Sequence, residues 1–119
     1  MERRLRLRRH GDFRVALDGR RVYSGRALVA FASPGPGPEH RVGITVSRGI
    51  KSAVERNRAR RRLREATRLQ LLGPDSPLPG LGIRYDVVLI ARPAALVVSF
   101  AELAAETAQV AVRIAKLNS

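Results

Sequence analysis

The sequence predicts an α/β fold in which helices pack on one sheet, and three kinds of segment support this prediction. "RALVAFAS" (26–33) and "HRVGITVS" (40–47) are short apolar or β-branched runs bounded by turn residues, as strands are. "YDVVLIAR" (85–92) is apolar on both faces, which is typical of a central strand covered on both sides. Two long amphipathic segments begin at Ser52 and Ser99, each with a glutamate three residues later, as in a capping box.

The length of 119 residues fits one domain spanning 1–119. Its first segment, "MERRLRLRRH" (1–10), has no clear period and predicts an extended, mobile basic arm. No apolar run of signal-peptide or membrane-spanning length follows, which favours a cytoplasmic protein with no membrane partner. Because the chain contains no cysteine, disulfides, thiolate chemistry and Cys-ligated zinc are excluded.

The first predicted helix lies in "GDFRVALDG" (11–19), where Phe13, Ala16 and Leu17 share a face and Gly19 ends the helix. The two strands that follow are separated by the short loop "PGPGP". A connection this short predicts that the two strands form an antiparallel hairpin.

Side-chain alternation along these two strands separates a core face from an open face. The core face is predicted to carry Leu28, Ala30, Ala32, Val42, Ile44 and Val46. The open face is predicted to carry Val29, Phe31, Gly43, Thr45 and Ser47. This second face is small and mixed, with one aromatic, so we expect the protein itself to cover it only partly.

The two long helices each present an apolar stripe to the core. The stripe predicted for the first is Ala59, Leu63, Ala66 and Gln70, with Thr67 beside it. The stripe predicted for the second is Phe100, Leu103, Ala104, Ala108, Ala111 and Ile114. Both histidines, His10 and His40, are isolated in the sequence and are predicted to lie at the surface.

The net charge of +13 is concentrated in one part of the chain. Residues 1–72 carry 19 basic and 6 acidic side chains, whereas residues 73–119 carry four of each. A segregated positive charge of this size indicates a basic face, and its usual partner is nucleic acid.

The first long helix has two charged flanks of different composition. One flank mixes signs and consists of Glu55, Arg58, Arg62 and Glu65. The other contains no acid and consists of Asn57, Arg60, Arg61, Arg64 and Arg68. Of these arginines, only Arg61 has a possible partner on the helix, Glu65, four residues on. Arg56 lies near the apolar stripe, where it could bind RNA or instead cap nearby carbonyls.

Three partners suit an acid-free arginine stripe: nucleic acid, a membrane surface or an acidic protein. Like charges at helical spacing repel each other by a few tenths of a kcal/mol per pair, which phosphates would relieve. A membrane-surface helix needs bulky apolar side chains opposite its charges, and this helix offers alanine. Nucleic acid is therefore the favoured partner.

Four segments form a recognisable set in their order and spacing. They are "DFRVAL" (12–17), "RVGITVS" (41–47), "AVERNRARRRLRE" (53–65) and "YDVVLIARP" (85–93). With Arg56, Asn57 and Arg58 at the centre of the third segment, the set resembles the protein subunit of bacterial ribonuclease P over residues 3–117. The departures from that family's pattern are Ala59 in place of a large aliphatic side chain, Leu17 in place of an aromatic, and two longer Pro/Gly-rich loops.

The resemblance implies a fold and a function. The fold is an α+β sandwich of the order α-β-β-β-α-β-α, with a four-stranded sheet and a left-handed βαβ crossover, similar to a domain of some ribosomal proteins. The implied function is that of a subunit of a ribonucleoprotein. The protein would bind the catalytic RNA and the single-stranded 5′ leader of precursor tRNA, and the RNA would remove the leader with bound Mg²⁺. The protein itself would need no cofactor, metal or small-molecule substrate.

The same resemblance implies two RNA-contacting surfaces. The residues that fall on the family's basic helix are Arg56, Asn57, Arg58, Arg60, Arg61 and Arg64, and Arg68 extends that stripe. Those that fall on its leader-binding cleft are Phe13, Val29, Phe31 and Thr45. Single-stranded RNA is commonly held in this way, with bases stacked on aromatics and basic groups along the backbone.

Two other classes of function remain to be weighed. A protein nuclease needs clustered carboxylates, paired histidines or an activated nucleophile, and no such motif occurs around Asp12, Asp18, Asp75 or Asp86. No catalytic residue is therefore predicted in the protein. A ribosomal or RNA-chaperone protein of the same fold remains the alternative, and the Arg-Asn-Arg motif after the Val-Gly-Ile-Thr-Val-Ser strand favours the ribonuclease P subunit.

Overall fold

The computed structural model describes residues 5–7 and 9–117 and confirms the predicted order of elements. The helices and strands are α1 (His10–Leu17), β1 (Arg20–Ser24), β2 (Leu28–Pro34), β3 (Arg41–Val46), α2 (Ala53–Gln70), β4 (Tyr85–Ala91) and α3 (Phe100–Lys116). Short 3₁₀ turns at Leu78–Gly80 and Pro93–Leu96 lie before and after β4. No helix among the described residues is long and apolar enough to cross a membrane.

The sheet has the order β1-β2-β4-β3, so the predicted β2–β3 hairpin is wrong. β2 pairs antiparallel with β4 along its whole length, and β3 pairs parallel with the other edge of β4. The "PGPGP" loop therefore crosses one intervening strand, a gap of roughly 10 Å between backbones. β4 takes the central place because six of its seven residues are buried, a degree of burial that only a strand covered on both faces reaches.

Both faces of the sheet are covered by helices. α2 and α3 close the main core with Leu28, Ala30, Val42 and other buried side chains of the sheet, as the strand alternation predicts. α1 lies on the opposite face, where Ala16 packs with Val88 in a smaller apolar cluster. The sheet is thus the middle layer of three.

The segment before α1 is anchored on this second face. Of residues 1–10, predicted to form an arm, residues 1–4 and 8 lie outside the described part of the chain. Leu7 is buried, and its backbone N–H donates to Val42 O at 2.9 Å, so this residue packs against the edge of β3. His10 is exposed, as predicted, and begins α1.

The two long helices begin at the predicted caps. Ser52 Oγ accepts from the Glu55 backbone N–H at 3.2 Å, and Ser99 Oγ accepts from the Glu102 backbone N–H at 3.1 Å. These bonds satisfy backbone donors that a helix start leaves free. The N-terminal boundaries of α2 and α3 are therefore determined by local chemistry.

The predicted stripe is buried in α2 except at Gln70, which is partly exposed, and it is confirmed only in part for α3. In α2, Ala59, Leu63, Ala66 and Thr67 are fully buried. The buried residues of α3 are Leu103, Thr107, Val110, Ala111 and Ile114. Thr107 takes a core position because its hydroxyl donates to Leu103 O at 2.9 Å, which removes the cost of burying it. Phe100, predicted as core, is instead exposed.

His40 is buried, contrary to the prediction of a surface position. Its Nδ1 accepts from the Tyr85 backbone N–H at 3.0 Å, so Nε2 carries the hydrogen and donates to Leu78 O at 2.7 Å. Burial lowers the pKa of His40, and the nearby Arg84 guanidinium lowers it further. The neutral imidazole thus joins the loop after α2 to the start of β4.

This arrangement predicts a pH-dependent stability. Because the folded protein holds His40 neutral, the unfolded chain binds the proton more readily, and the free energy of unfolding falls as pH drops below about 6.5. The slope is at most about 1.4 kcal/mol per pH unit for this one group. Urea unfolding at pH 7.5, 6.5 and 5.5 measures it.

Two substitutions identify the group responsible. His40→Gln should remove the slope between pH 5.5 and 6.5, because the titrating ring is gone. His10→Gln, at an exposed position, should retain the slope. Equal slopes in the wild-type protein and His40→Gln would show that another group causes the pH dependence.

Candidate RNA interface

The arginines of α2 differ in what their guanidinium groups contact: some bind backbone carbonyls of the fold, and others lie exposed. Arg56 Nη1 donates to Ser47 O at 3.1 Å and to Ile50 O at 2.8 Å. Arg56 therefore closes the loop from β3 into α2, so its Nη1 has the capping role, whereas its RNA contact stays a prediction. Its guanidinium is committed to the fold.

Arg62 also turns inward, across the gap between α2 and α3. Its Nη2 donates to Val98 O at 2.7 Å, and its Nη1 donates to Ala95 O. Both acceptors belong to the buried turn that precedes α3. Arg62 therefore ties the two helices together, rather than pairing with an acid on its own flank.

Glu65 was a possible partner of Arg61, but no bond joins the two in the described part of the chain. Glu65 binds Arg68 instead, through two hydrogen bonds of 2.6 and 3.1 Å. These hydrogen bonds, which Arg68 donates, lower the pKa of Glu65 and raise the pKa of Arg68. Both side chains are half exposed, so this contact adds little to stability, but it partly neutralises Arg68.

The four other arginines of α2 differ in their exposure. Arg58 and Arg61 are exposed and contact no hydrogen-bonding or ionic partner among the described residues. Arg60 donates to Asn57 Oδ1 at 3.2 Å, which orders both side chains on the outer surface. Arg64 is half-buried, and its Nε has no hydrogen-bond partner. The outward cations therefore come from both predicted flanks, since Arg58 belonged to the mixed one.

The predicted cleft residues meet on the sheet face that carries α1. Cross-strand pairing places Val29, Ile90 and Thr45 in one row over β2, β4 and β3. Phe31 and Gly43 flank Val88 in the next row. Val29, Phe31 and Thr45 are each partly exposed, so they form an open floor beside α1.

Phe13 forms part of the wall of this cleft. A Cβ at Gly43 would come within 2.5 Å of Phe13 Cε1, so only glycine at this position lets the ring approach β3. Phe13 packs with Leu7, Ala16 and Val88 and stays partly exposed. It thus joins α1 to the sheet and also borders the open floor.

An ion-pair network secures α1 over the same face. Arg41 binds the Asp86 carboxylate through bonds of 2.9 and 2.7 Å, and its Nη1 reaches Asp12 of α1 at 3.4 Å. The hydrogen bonds to Asp86 raise the pKa of Arg41 above its usual value. Because both carboxylates share one arginine, the network links α1 to β3 and β4 at one end of the cleft.

Two residues of the floor are absent from the predicted site. Ile90 lies between Val29 and Thr45, and Val88 lies between Phe31 and Gly43. The apolar pattern of β4 predicted a central strand. The predicted β2–β3 hairpin, however, excluded a strand between β2 and β3, so Ile90 and Val88 were not assigned to the cleft. Directly after β4, Arg92 donates to Ser24 Oγ at 2.8 Å.

The described residues contain no group of three or more histidine, aspartate and glutamate side chains that could hold a metal ion. Asp12 and Asp86 both contact Arg41. The geometry of the described residues is that of binding surfaces.

Comparison with known proteins gives one family. The sequence model of the family described as Ribonuclease P matches residues 1–115. The ribonuclease P protein component of Acidothermus cellulolyticus is 42% identical over 107 residues, covering 87% of this chain and 82% of that protein. The one from Ruegeria pomeroyi is 45% identical over 89 residues, covering 73% of this chain and 66% of that protein.

Solved structures agree with the fold. The RNase P protein of Staphylococcus aureus superposes with a TM-score of 0.70 at 24% identity, over 97% of this chain and 98% of that one. The protein from Thermotoga maritima gives a TM-score of 0.65 at 22% identity, over 95% and 94% of the two chains. At this identity the likeness establishes the architecture.

The inward role of Arg62 predicts a stability difference between neighbouring arginines. Arg62→Ala should lower the free energy of unfolding by about 1–3 kcal/mol, because it leaves the buried carbonyls of Ala95 and Val98 without a donor. Arg61→Ala removes the same charge from an exposed side chain and should change stability by less than about 0.5 kcal/mol. Urea unfolding midpoints, compared at equal m-values, measure both changes in stability. Equal losses of stability in Arg62→Ala and Arg61→Ala would contradict the inward role of Arg62.

Proposed function

This chain belongs to the ribonuclease P protein family, and we propose that it binds the catalytic RNA and the 5′ leader of precursor tRNA. A ribonuclease P protein component is part of a tRNA-processing endoribonuclease. In this proposal α2 faces the catalytic RNA, the cleft beneath α1 holds the leader, and the particle acts in the cytoplasm.

The observation that carries the proposal is the division of the α2 arginines. Arg58 and Arg61 stay exposed with no partner among the described residues, although Arg56 and Arg62 on the same helix bind carbonyls. Guanidinium groups bind phosphate oxygens in a bidentate manner, so these outward cations suit an RNA backbone. Asn57 and Arg60 extend the same surface.

The cleft suits a single strand for a different reason. Its floor offers the partly exposed aromatic ring of Phe31 beside apolar and hydroxyl side chains, and Phe13 borders it. Exposed aromatic faces stack on unpaired bases with little regard to sequence. A leader is unpaired, so its bases can reach such a floor, whereas paired bases are already stacked on their neighbours.

Hydrolysis is assigned to the RNA and its bound Mg²⁺. Among the described residues no group of three or more histidine, aspartate and glutamate side chains could hold a metal ion, and Arg41 binds both Asp12 and Asp86. The contribution of the protein is then positional, since it would hold leader and catalytic RNA on one rigid scaffold and neutralise their phosphates.

Reconstitution tests this function directly. We expect precursor tRNA to be cleaved at low Mg²⁺ by a mixture of this protein with a bacterial ribonuclease P RNA, and by neither alone. The measurement is the rate of leader release on a denaturing gel, with the three samples run in parallel.

Each outcome decides between functions. Cleavage by the protein alone would place an active site in the chain and refute the assignment of chemistry to RNA. RNA binding without any stimulation, including with RNA from the organism of this protein, would favour a ribosomal or RNA-chaperone role.

The cleft proposal predicts a leader-specific loss. Phe31→Leu keeps an apolar side chain of similar bulk but removes the ring, so affinity for precursor tRNA should fall by roughly 5-fold or more. Affinity for mature tRNA, which has no leader, should not change. Fluorescence titrations of the reconstituted particle with the two tRNAs measure this discrimination.

Phe31→Tyr is the matched control, because it restores a stacking face at the same position. It should bind precursor tRNA as the wild-type protein does. Parallel losses for precursor and mature tRNA in Phe31→Leu would mean that Phe31 supports the fold and makes no leader contact.

A further inference from the structure

A second aromatic lies beside the outward arginines, on the opposite side of the sheet from the leader cleft. Phe100, the first residue of α3, lines an open groove of about 560 Å³ together with Arg58, Arg61, Arg62 and Glu65 of α2. Its side chain is 38% exposed, which is unusual for one of only three phenylalanines in a chain of this size.

Two contacts that stabilise the fold also hold the groove in shape. Arg62 joins its α2 wall to the turn before α3 through Ala95 O and Val98 O. Ser99 caps α3 at the adjoining residue and fixes the helix start that carries Phe100. The ring is therefore held at a defined place beside the arginines.

The electrostatics of the groove favour an anion. Arg58 and Arg61 have no ionic or hydrogen-bonding partner in the described part of the chain, so their positive charges are available. Glu65 is the only acid that lines the groove among these residues, and Arg68 binds it at 2.6 Å. The groove therefore combines an exposed aromatic face with two uncommitted guanidinium groups.

We propose that this groove binds one unpaired nucleotide of the catalytic RNA, with its base stacked on Phe100 and its flanking phosphates on Arg58 and Arg61. Aromatic stacking combined with basic groups along the backbone is the usual chemistry for unpaired nucleotides. The inference rests on the proposed function and adds a contact site that is separate from the leader cleft.

The layer order favours the catalytic RNA over the leader as the source of this nucleotide. The groove lies between α2 and α3, which cover one face of the sheet, whereas the cleft lies beside α1 on the other face. A leader seated in the cleft would have to pass around the sheet to reach Phe100. Binding measured with and without precursor tRNA separates the two sources.

The first test separates stacking from charge by salt dependence. Phe100→Ala should weaken binding of the ribonuclease P RNA, without tRNA, by roughly 5- to 100-fold while leaving the slope of log K against log salt unchanged. Arg61→Ala should lower that slope by about 0.7–0.9, because one phosphate contact is lost. Phe100→Tyr should bind as the wild-type protein does.

Ile83→Ala is the matched control, because Ile83 is similarly exposed, at 44%, and lies in the loop before β4, outside the groove. It should leave RNA affinity unchanged. Circular dichroism and urea midpoints of Phe100→Ala show whether the variant is folded. If it unfolds, Phe100→Leu provides the same comparison with the apolar bulk retained.

A fluorescence reporter tests the contact itself. The chain contains no tryptophan, so Phe100→Trp introduces the only indole. Stacking predicts quenching of its emission when the ribonuclease P RNA binds, and no further quenching when precursor tRNA is added. Ile83→Trp should show little quenching under the same conditions.

The outcomes separate this inference from the proposed function. If the wild-type protein neither binds the ribonuclease P RNA nor stimulates cleavage, the proposed function fails. If it does both, but Phe100→Ala or Phe100→Leu binds as tightly as wild type, the groove inference alone is refuted. Quenching of Phe100→Trp only after addition of precursor tRNA would instead assign the groove to the leader.

Discussion

The insertion of β4 between β2 and β3 is the constraint on which the rest of the structure depends. A strand with six of seven residues buried requires cover on both faces, and the molecule supplies it with α2 and α3 on one side and α1 on the other. Because β3 and β4 are parallel neighbours, the chain must cross from the end of one strand to the start of the other, and α2 makes this crossing. The arginine-rich helix therefore lies on the side of the sheet opposite the cleft.

The arginines of α2 show how one residue type meets two demands. Arg56 and Arg62 bind loop carbonyls, and these bonds set the β3–α2 loop and the spacing of α2 from α3. A long side chain with a planar, multi-donor head can reach such carbonyls while its stem packs along the helix. Arg58 and Arg61 bind no such acceptor in the part of the chain that the structure describes and stay exposed. The fold thus needs some of the positive charge, and only the remainder is available to a ligand.

The sequence predicted those features that local chemistry decides. The capping residues Ser52 and Ser99, the α2 stripe apart from Gln70 and the central position of β4 are confirmed, because each depends on neighbours within a few residues or on one segment's apolar pattern. The β2–β3 hairpin was wrong because strand order depends on a partner some 40 residues further along the chain. His40 and Phe100 were misplaced for the same reason, since the burial of His40 depends on contacts with Leu78 and Tyr85, and Phe100 lies beside α2, both far away in sequence. Within the candidate site, side-chain alternation along the strands correctly placed Val29, Phe31 and Thr45 on one face. The bonds of Arg56 and Arg62 to backbone carbonyls could not be predicted in this way, because only the folded chain brings those carbonyls near.

The positive charge of the chain also affects its stability. A net charge of +13 on 119 residues opposes a compact state through self-repulsion, and the exposed cations of α2 concentrate that cost on one surface. Ligands that bind only the folded protein stabilise it by mass action, and a polyanion also removes the repulsion. On the proposed function, RNA would therefore act on folding as well as on assembly, with its largest effect at low ionic strength, where screening is weakest. An acid-free stripe of arginines is costly for the isolated protein and favourable in a particle whose other component is RNA.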